Sequence, residues 1–214
     1  LYSNTSEGKG KAAAFGSWDV FPYIINEERS GVPVNAGFEA ATENLNEREK
    51  FLNQLQEQIP SPWGSVRLDA FTHYALEHMK KNHPKLVYIS YGETDDFAHD
   101  GDYQAYLKSA HNTDALIKEV WEFTQQDEFY KDQTIFMLTT DHGRGTQPLE
   151  TWKSHGSDIK GAGQVWFITF GKDIEPMGEV TQEEQLHSNQ IAPTILKYMG
   201  IPIPNEMNGA PMKL

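Results

Sequence analysis

The chain has 214 residues, of which 38% are hydrophobic and 12% aromatic, and this is enough to bury one sizeable core. Its formal charge of −13, from 18 Lys and Arg against 31 Asp and Glu, argues against a nucleic-acid backbone or an anionic membrane as the main partner. Because the chain has no cysteine, disulfides and thiolate metal ligands are excluded, and no apolar run reaches the ~20 residues of a membrane span.

Short apolar runs alternate with helical patterns along the chain. Gly92 directly follows one such run and lets the chain turn into an acidic loop, while Pro84 and Gly200 mark the ends of helices. The segment with Pro22 and Pro33 is expected to be irregular. In chain order the pattern predicts a strand at 11–18, helices at 47–58 and 65–82, a strand at 85–91, a helix at 102–126, strands at 134–140 and 164–170, and a helix at 187–198.

This alternation predicts the fold class. Strands separated by helices favour right-handed crossovers, so we expect an α/β fold with a mostly parallel sheet flanked by helices. We also expect residues 1–214 to form a single domain. In such folds, ligands bind beyond the carboxyl ends of the strands.

Five candidate metal ligands follow or precede the predicted strands. Asp95 and His99 come just after the strand at 85–91, Asp141 and His142 just after the strand at 134–140, and His155 before the strand at 164–170. If the first two of these strands are neighbours, about 5 Å apart, their terminal loops can converge on metal ions. Carboxylates and imidazoles suit zinc or manganese, and two ions ~4 Å apart could clamp a phosphoryl group.

Four motifs in this region resemble those of a known family. They are GETDDFAH (92–99), TTDHGRG (139–145), KSHGSD (153–158) and SNQIAPTILKYMGIPIP (188–204). Over roughly 11–204 the chain resembles the C-terminal half of the alkaline-phosphatase superfamily, and its branch of type I phosphodiesterases and nucleotide pyrophosphatases in particular. The resemblance implies that Asp95, His99 and His155 bind one divalent ion, and that Asp141 and His142 help to bind a second.

The chain departs from this family at its beginning. Members place a further Asp and a Thr or Ser nucleophile before all the motifs found here, and neither is present. Of the early hydroxyls, those of Thr5, Ser6 and Ser17, none combines the preceding buried strand with the Asp that the second metal site needs. By the family pattern we expect the chain to be the C-terminal part of a larger catalytic domain, whose missing N-terminal segment carries the nucleophile.

The resemblance predicts a metal-dependent hydrolase of phosphate esters or nucleotides, inactive as this fragment, with two divalent ions, zinc or manganese. Arg144 and Lys153 flank the metal motifs and are candidates for binding the substrate phosphate. The alternatives are a phosphoglycerate mutase-like phosphotransferase, a sulfatase relative, or a metal-stabilised scaffold without catalysis. The absence of cysteine favours an extracytoplasmic location, and we expect no nucleic-acid partner.

Overall fold

The computed structural model describes residues 2–181 and 185–214. The chain divides into two compact units, Leu1–Phe123 and Thr124–Leu214, named here the N-terminal and C-terminal units. Because such units can belong to one domain, the single domain over 1–214 stays a prediction. The described strands and α-helices are β1 Ala12–Gly16, α1 Phe21–Ile25, α2 Glu27–Ser30, β2 Val34–Ala36, α3 Glu47–Gln58, α4 Tyr74–Asn82, β3 Leu86–Ser90, α5 Glu93–Asp100, α6 Tyr103–Gln126, β4 Ile135–Thr139, β5 Phe167–Gly171 and α7 Ile191–Tyr198.

The sheet of the N-terminal unit is parallel, in the order β2-β1-β3. Every residue of the central strand β1 is buried, which explains its continuous run of small apolar residues, since a central parallel strand is covered on both faces. Phe15 stands in register with Asn35 of β2 and Ile89 of β3. The carboxyl ends of all three strands therefore lie at the same edge of this sheet.

Helices α3 and α4 pack on this sheet and form the core of the N-terminal unit. The buried core contains Phe15 of β1, Leu52 of α3, and Tyr74 and Ala75 of α4. Helix α3 begins at a capping box, in which the Asn46 side chain accepts a hydrogen bond from the amide of Glu49, and the amide of Asn46 donates to the Glu49 carboxylate. The helix therefore covers the 47–58 range predicted from its sequence pattern.

The helix predicted at 65–82 is only partly correct, because α4 begins at Tyr74 and follows a 3-10 helix at Asp69–His73. The first residues of the segment pair with the chain beyond β1. The amide of Arg67 donates to the carbonyl of Ser17, and the amide of Asp19 donates to the carbonyl of Ser65. Tertiary pairing thus overrides a local helical pattern. The segment predicted to be irregular also contains β2, α1 and α2.

The C-terminal unit contains a separate two-stranded antiparallel sheet, β4-β5. Phe136 and Phe170 are paired in register, and their rings stack with centroids 5.1 Å apart. Among the described strands, β3 pairs with β1, whereas β4 pairs with β5. Helix α7 begins at Ile191, after a 3-10 turn, and its Thr194 hydroxyl accepts a hydrogen bond from the amide of Met212.

The fold class is as predicted, an α/β fold with a parallel sheet flanked by helices. Within residues 2–181 and 185–214, none of the helices combines the length and apolar character that a membrane crossing requires. The preference for an extracytoplasmic location stays a prediction.

Candidate metal centre

The candidate ligands Asp95 and His99 lie on a helix, not in the acidic loop that the sequence pattern indicated. Helix α5 begins directly after Gly92, at the carboxyl edge of the parallel sheet. Residues four apart share one face of a helix, and Asp95 Oδ2 lies 3.4 Å from His99 Nε2. Both side chains are partly accessible, 40% and 43% exposed, respectively. The N-terminal unit therefore brings one carboxylate and one imidazole together on an accessible surface.

The spacing of this pair fits a metal ion. Two donor atoms bound at about 2.1 Å to one ion stand about 3.4 Å apart when the coordination is tetrahedral. Asp95 Oδ2 and His99 Nε2 are 3.4 Å apart, so both atoms could bind one tetrahedral ion without moving. Oxygen and nitrogen donors of this kind suit zinc and manganese.

A buried carboxylate fixes the start of α5. Asp69 is 2% exposed, and its carboxylate accepts hydrogen bonds from the Ser17 hydroxyl at 2.5 Å, the Gly92 amide at 2.7 Å and the Glu93 amide at 3.2 Å. The amide of Asp69 donates in return to Glu93 Oε1 at 2.9 Å. Burial raises the pKa of Asp69 to about 6, although these hydrogen bonds favour the ionised form.

Ser17 is one of the three early hydroxyls considered above. It is fully buried, and its hydroxyl lies 2.9 Å from that of Thr72 as well as donating to Asp69. A serine in this position ties β1 to the segment before α4. It cannot reach a substrate without opening the core, so its role in the described structure is structural.

The second group of candidate ligands lies in the loop after β4. The Asp141 carboxylate accepts a hydrogen bond from the amide of His142, and its Oδ1 lies 3.6 Å from His142 Nε2. His142 Nδ1 lies 2.9 Å from the carbonyl oxygen of Gly143, a contact that requires Nδ1 to carry the proton and donate it. Of the two neutral tautomers, this contact selects the one whose Nε2 has a free lone pair, and Nε2 is then the nitrogen available to a metal ion.

The third histidine lies beside His142. The His142 and His155 rings stack with centroids 3.7 Å apart and planes inclined by 16°. Each ring offers a nitrogen, and the two nitrogens lie within 4.8 Å of each other. This separation is compatible with binding to one ion or to two ions about 4 Å apart. The C-terminal unit therefore brings together Asp141, His142 and His155.

Glycine at position 143 allows the loop after β4 to pack closely against the segments that contain Ser154 and Ala162. The amide of Gly143 donates to the carbonyl of Ala162, and the amide of Gly145 donates to the carbonyl of Ser154, next to His155. A Cβ atom at Gly143 would lie 2.1 Å from the carbonyl oxygen of Gln164, far inside van der Waals contact. The glycine of the Asp-His-Gly motif is thus needed for the close packing of two loop segments.

The two candidate phosphate-binding residues both lie in the C-terminal unit. Arg144 follows the Asp-His-Gly motif and is partly buried, whereas Lys153 is exposed and ends the 3-10 helix Leu149–Lys153. Their contact with a substrate stays a prediction, as do the ligand roles of the five residues above.

Comparison with known proteins places the chain in a family. Residues 34–203, which include all five candidate ligands, match the model of the metalloenzyme superfamily. The chain belongs to the metalloenzyme superfamily. Membership of this superfamily, which has the alkaline phosphatase-like fold, implies binding of divalent metal ions. The chemistry of the five side chains agrees with that implication.

The relatives correct the predicted branch of the superfamily. A 2,3-bisphosphoglycerate-independent phosphoglycerate mutase from Brugia malayi is 30% identical over 139 residues, which are 63% of this chain and 24% of that protein. The corresponding enzyme from Gracilaria tenuistipitata var. liui is 29% identical over 174 residues, 75% of this chain and 31% of that protein. The phosphodiesterase and nucleotide pyrophosphatase assignment is therefore wrong, and so is the hydrolase function inferred from it.

A solved structure supports the fold. The crystal structure of Leishmania mexicana phosphoglycerate mutase at low cobalt concentration matches 95% of this chain and 37% of its own chain, with a TM-score of 0.55 and 14% identity. The chain thus spans roughly a quarter to a third of the length of its relatives in sequence.

No sequence motif marks Asp69 as a functional residue. Asp69 lies within the segment 65–82 that the sequence pattern predicts to be a helix, and its hydrogen bonds to the Gly92 and Glu93 amides join positions more than 20 residues apart. The sequence offers one weak signal. Asp69 comes shortly after Pro62 and Gly64, where a new element is expected to begin.

Proposed function

We propose that this chain supplies the metal ligands of a phosphoryl-transfer enzyme of the phosphoglycerate mutase type. The observation that carries the proposal is its similarity, at 29–30% identity, to 2,3-bisphosphoglycerate-independent phosphoglycerate mutases. The two groups of oxygen and nitrogen donors, Asp95 with His99 and Asp141 with His142 and His155, support it independently.

The assignment of ligands follows the resemblance described above. In this assignment Asp95, His99 and His155 hold one divalent ion, and Asp141 and His142 hold the other. Zinc and manganese both suit these donors. The carboxylates offset part of the charge of the ions, and the imidazoles bind through neutral nitrogen.

The residues of the chain have distinct tasks in such a reaction. When bound, two divalent ions supply charge stabilisation to the phosphoryl group during transfer. His142 keeps Nε2 directed away from Gly143, because its Nδ1–H donates to the Gly143 carbonyl. Arg144 and Lys153 orient the phosphate oxygens by charge-assisted hydrogen bonds. In residues 2–181 and 185–214 we assign no nucleophile.

The proposed substrate class is phosphoglycerate. A mutase returns the phosphoryl group to a hydroxyl of the substrate and not to water, so the site must hold the reacting groups close and exclude water. The difference from a hydrolase therefore appears in the products: an isomeric phosphoglycerate in one case, and free phosphate with glycerate in the other.

The test uses the native-length gene product with 3-phosphoglycerate, followed by phosphorus NMR. We expect divalent metal to be required for conversion into 2-phosphoglycerate, and chelation to abolish it. His142→Ala should lower the rate roughly 100-fold or more, since a ligand is lost. His111→Ala, at an exposed position of α6, is the matched control and should leave the rate unchanged.

Two results would contradict the proposal. Release of inorganic phosphate in place of the isomer would exclude a mutase. Conversion that survives complete removal of divalent ions would exclude the metal centre.

A further inference from the structure

Helix α5 begins without a side-chain cap of its own. Its N-cap residue is Gly92, which has no side chain to accept a hydrogen bond from the first amides of the helix. The first amides of a helix need acceptors from elsewhere, and a carboxylate there is also favoured by the helix dipole. In α5 the acceptor for Gly92 and Glu93 is Asp69, which lies 23 and 24 residues earlier in the chain.

Asp69 and the start of α5 are joined by two reciprocal hydrogen bonds. The Asp69 carboxylate accepts from the Glu93 amide, and the Glu93 carboxylate accepts from the Asp69 amide. This is the reciprocal arrangement of a capping box, but it is formed between separate segments. Asp69 itself is anchored to the end of β1 through the Ser17 hydroxyl. The start of α5 is therefore fixed relative to the carboxyl edge of the parallel sheet.

The start of a short helix determines where its side chains point. Asp95 lies only two residues beyond Glu93, and His99 lies one turn further on the same face. Because successive residues of an α-helix differ by about 100°, a change of one residue in the start of α5 would turn both side chains away from their present direction.

We propose that Asp69 is a positioning residue, which holds the amides of Gly92 and Glu93 and so sets the direction in which α5 presents Asp95 and His99 to a metal ion. The inference rests on the proposed function, because it takes Asp95 and His99 as ligands. In this role Asp69 accepts hydrogen bonds from the backbone amides of Gly92 and Glu93. It acts through the backbone of the helix that carries Asp95 and His99.

The experiment measures cobalt(II) affinity of the chain by calorimetry, and the hydrogen exchange of the Gly92 and Glu93 amides without metal. In Asp69→Asn, Oδ1 can still accept from Ser17 and Gly92, but the amide nitrogen would face the N–H of Glu93. We expect faster exchange at Glu93 and a loss of roughly 10- to 100-fold in cobalt affinity, the usual effect of removing a group that orients a ligand.

Glu49→Gln is the matched control. Glu49 is also a buried carboxylate that accepts from a backbone amide at a helix start, but it serves α3 and pairs with Lys81. We expect this variant to lose stability while its cobalt affinity stays within about twofold of the wild type, a change of at most ~0.4 kcal/mol.

Three outcomes would contradict either the positioning role of Asp69 or the ligand role of Asp95. Unchanged cobalt affinity in Asp69→Asn, with affinity lost in Asp95→Asn, would overturn the positioning role alone. An equal loss of affinity in Asp69→Asn and Glu49→Gln would also overturn it, since general destabilisation would then explain the effect. Equal affinity of the wild type and Asp95→Asn would remove Asp95 as a ligand, and with it both the proposed metal site and this inference.

Discussion

Replacing Gly143 by alanine tests the packing that places His142 beside His155. The new Cβ would lie 2.1 Å from the carbonyl oxygen of Gln164 and 2.7 Å from that of Gly161. Carbon and carbonyl oxygen rarely approach closer than about 3.3 Å, so the loop would have to move by more than about 1 Å. That movement strains or breaks the hydrogen bond from the Gly143 amide to the Ala162 carbonyl.

We expect Gly143→Ala to lower the free energy of unfolding by about 1–3 kcal/mol, from overpacking and the lost hydrogen bond. Metal affinity should fall as well, because the Gly143 carbonyl orients the His142 ring. The measurements are urea unfolding of the metal-free protein and cobalt titration. Gly163→Ala is the control in the same region, since a Cβ there has no atom of the described residues within 4 Å other than those of Gly163 and its two chain neighbours.

In Gly163→Ala the unfolded chain loses freedom without strain in the folded state, so its stability should stay the same or rise by up to about 1 kcal/mol. Equal behaviour of Gly143→Ala and Gly163→Ala in both measurements would show that close packing at Gly143 controls neither stability nor metal affinity.

Three other predictions concern the N-terminal unit. The pKa of Asp69 is raised by burial from 3.8 to about 6, so the folded state binds the extra proton between these values. Protonated Asp69 therefore contributes about 3 kcal/mol to the free energy of unfolding below pH 3.8. This contribution is lost as the pH rises through 6. Urea unfolding at pH 4.5 and 7 should therefore show a fall in the wild type that is absent in Asp69→Asn; identical pH dependence would exclude this titration. Leu52→Ala should cost about 2–5 kcal/mol in urea unfolding because Leu52 is buried in the core, and a cost under 1 kcal/mol would contradict that packing. Asn46→Ala removes the α3 cap and its contact with Glu77, and should lower thermal stability by about 1–2 kcal/mol; an unchanged melting temperature would argue against the capping box.

The candidate ligands show which parts of the metal centre the local sequence pattern predicts correctly. Asp141 and His142 follow a strand that sequence placed at 134–140 and the structure has at Ile135–Thr139. The sequence pattern correctly predicts Asp95 and His99 after the strand at 85–91, but it predicts a loop where the structure has helix α5. The four-residue spacing of this pair is compatible with a helix, and α5 is what brings the two donor atoms to 3.4 Å.

The branch of the superfamily was not decided by the motifs. The order of Asp95, His99, Asp141, His142 and His155 indicates a metalloenzyme, but the same order serves hydrolases and mutases. Similarity over the whole matched segment favours the mutases, whereas the motifs alone led to the wrong branch. The metal ligands determine which ions a site can hold. They do not determine whether water or a substrate hydroxyl receives the phosphoryl group.

By itself, the sequence determined the buried strand β1, helix α3, and the identity of the five metal-ligand candidates. These depend on residues close together in the chain, where periodicity and side-chain chemistry act directly. Only the tertiary structure decided that β4 pairs with β5, that the segment 65–68 leaves its helical pattern to pair with Ser17, and that Asp69 caps α5. Each of these is a hydrogen bond between distant segments, and the choice of partner depends on how the intervening chain packs.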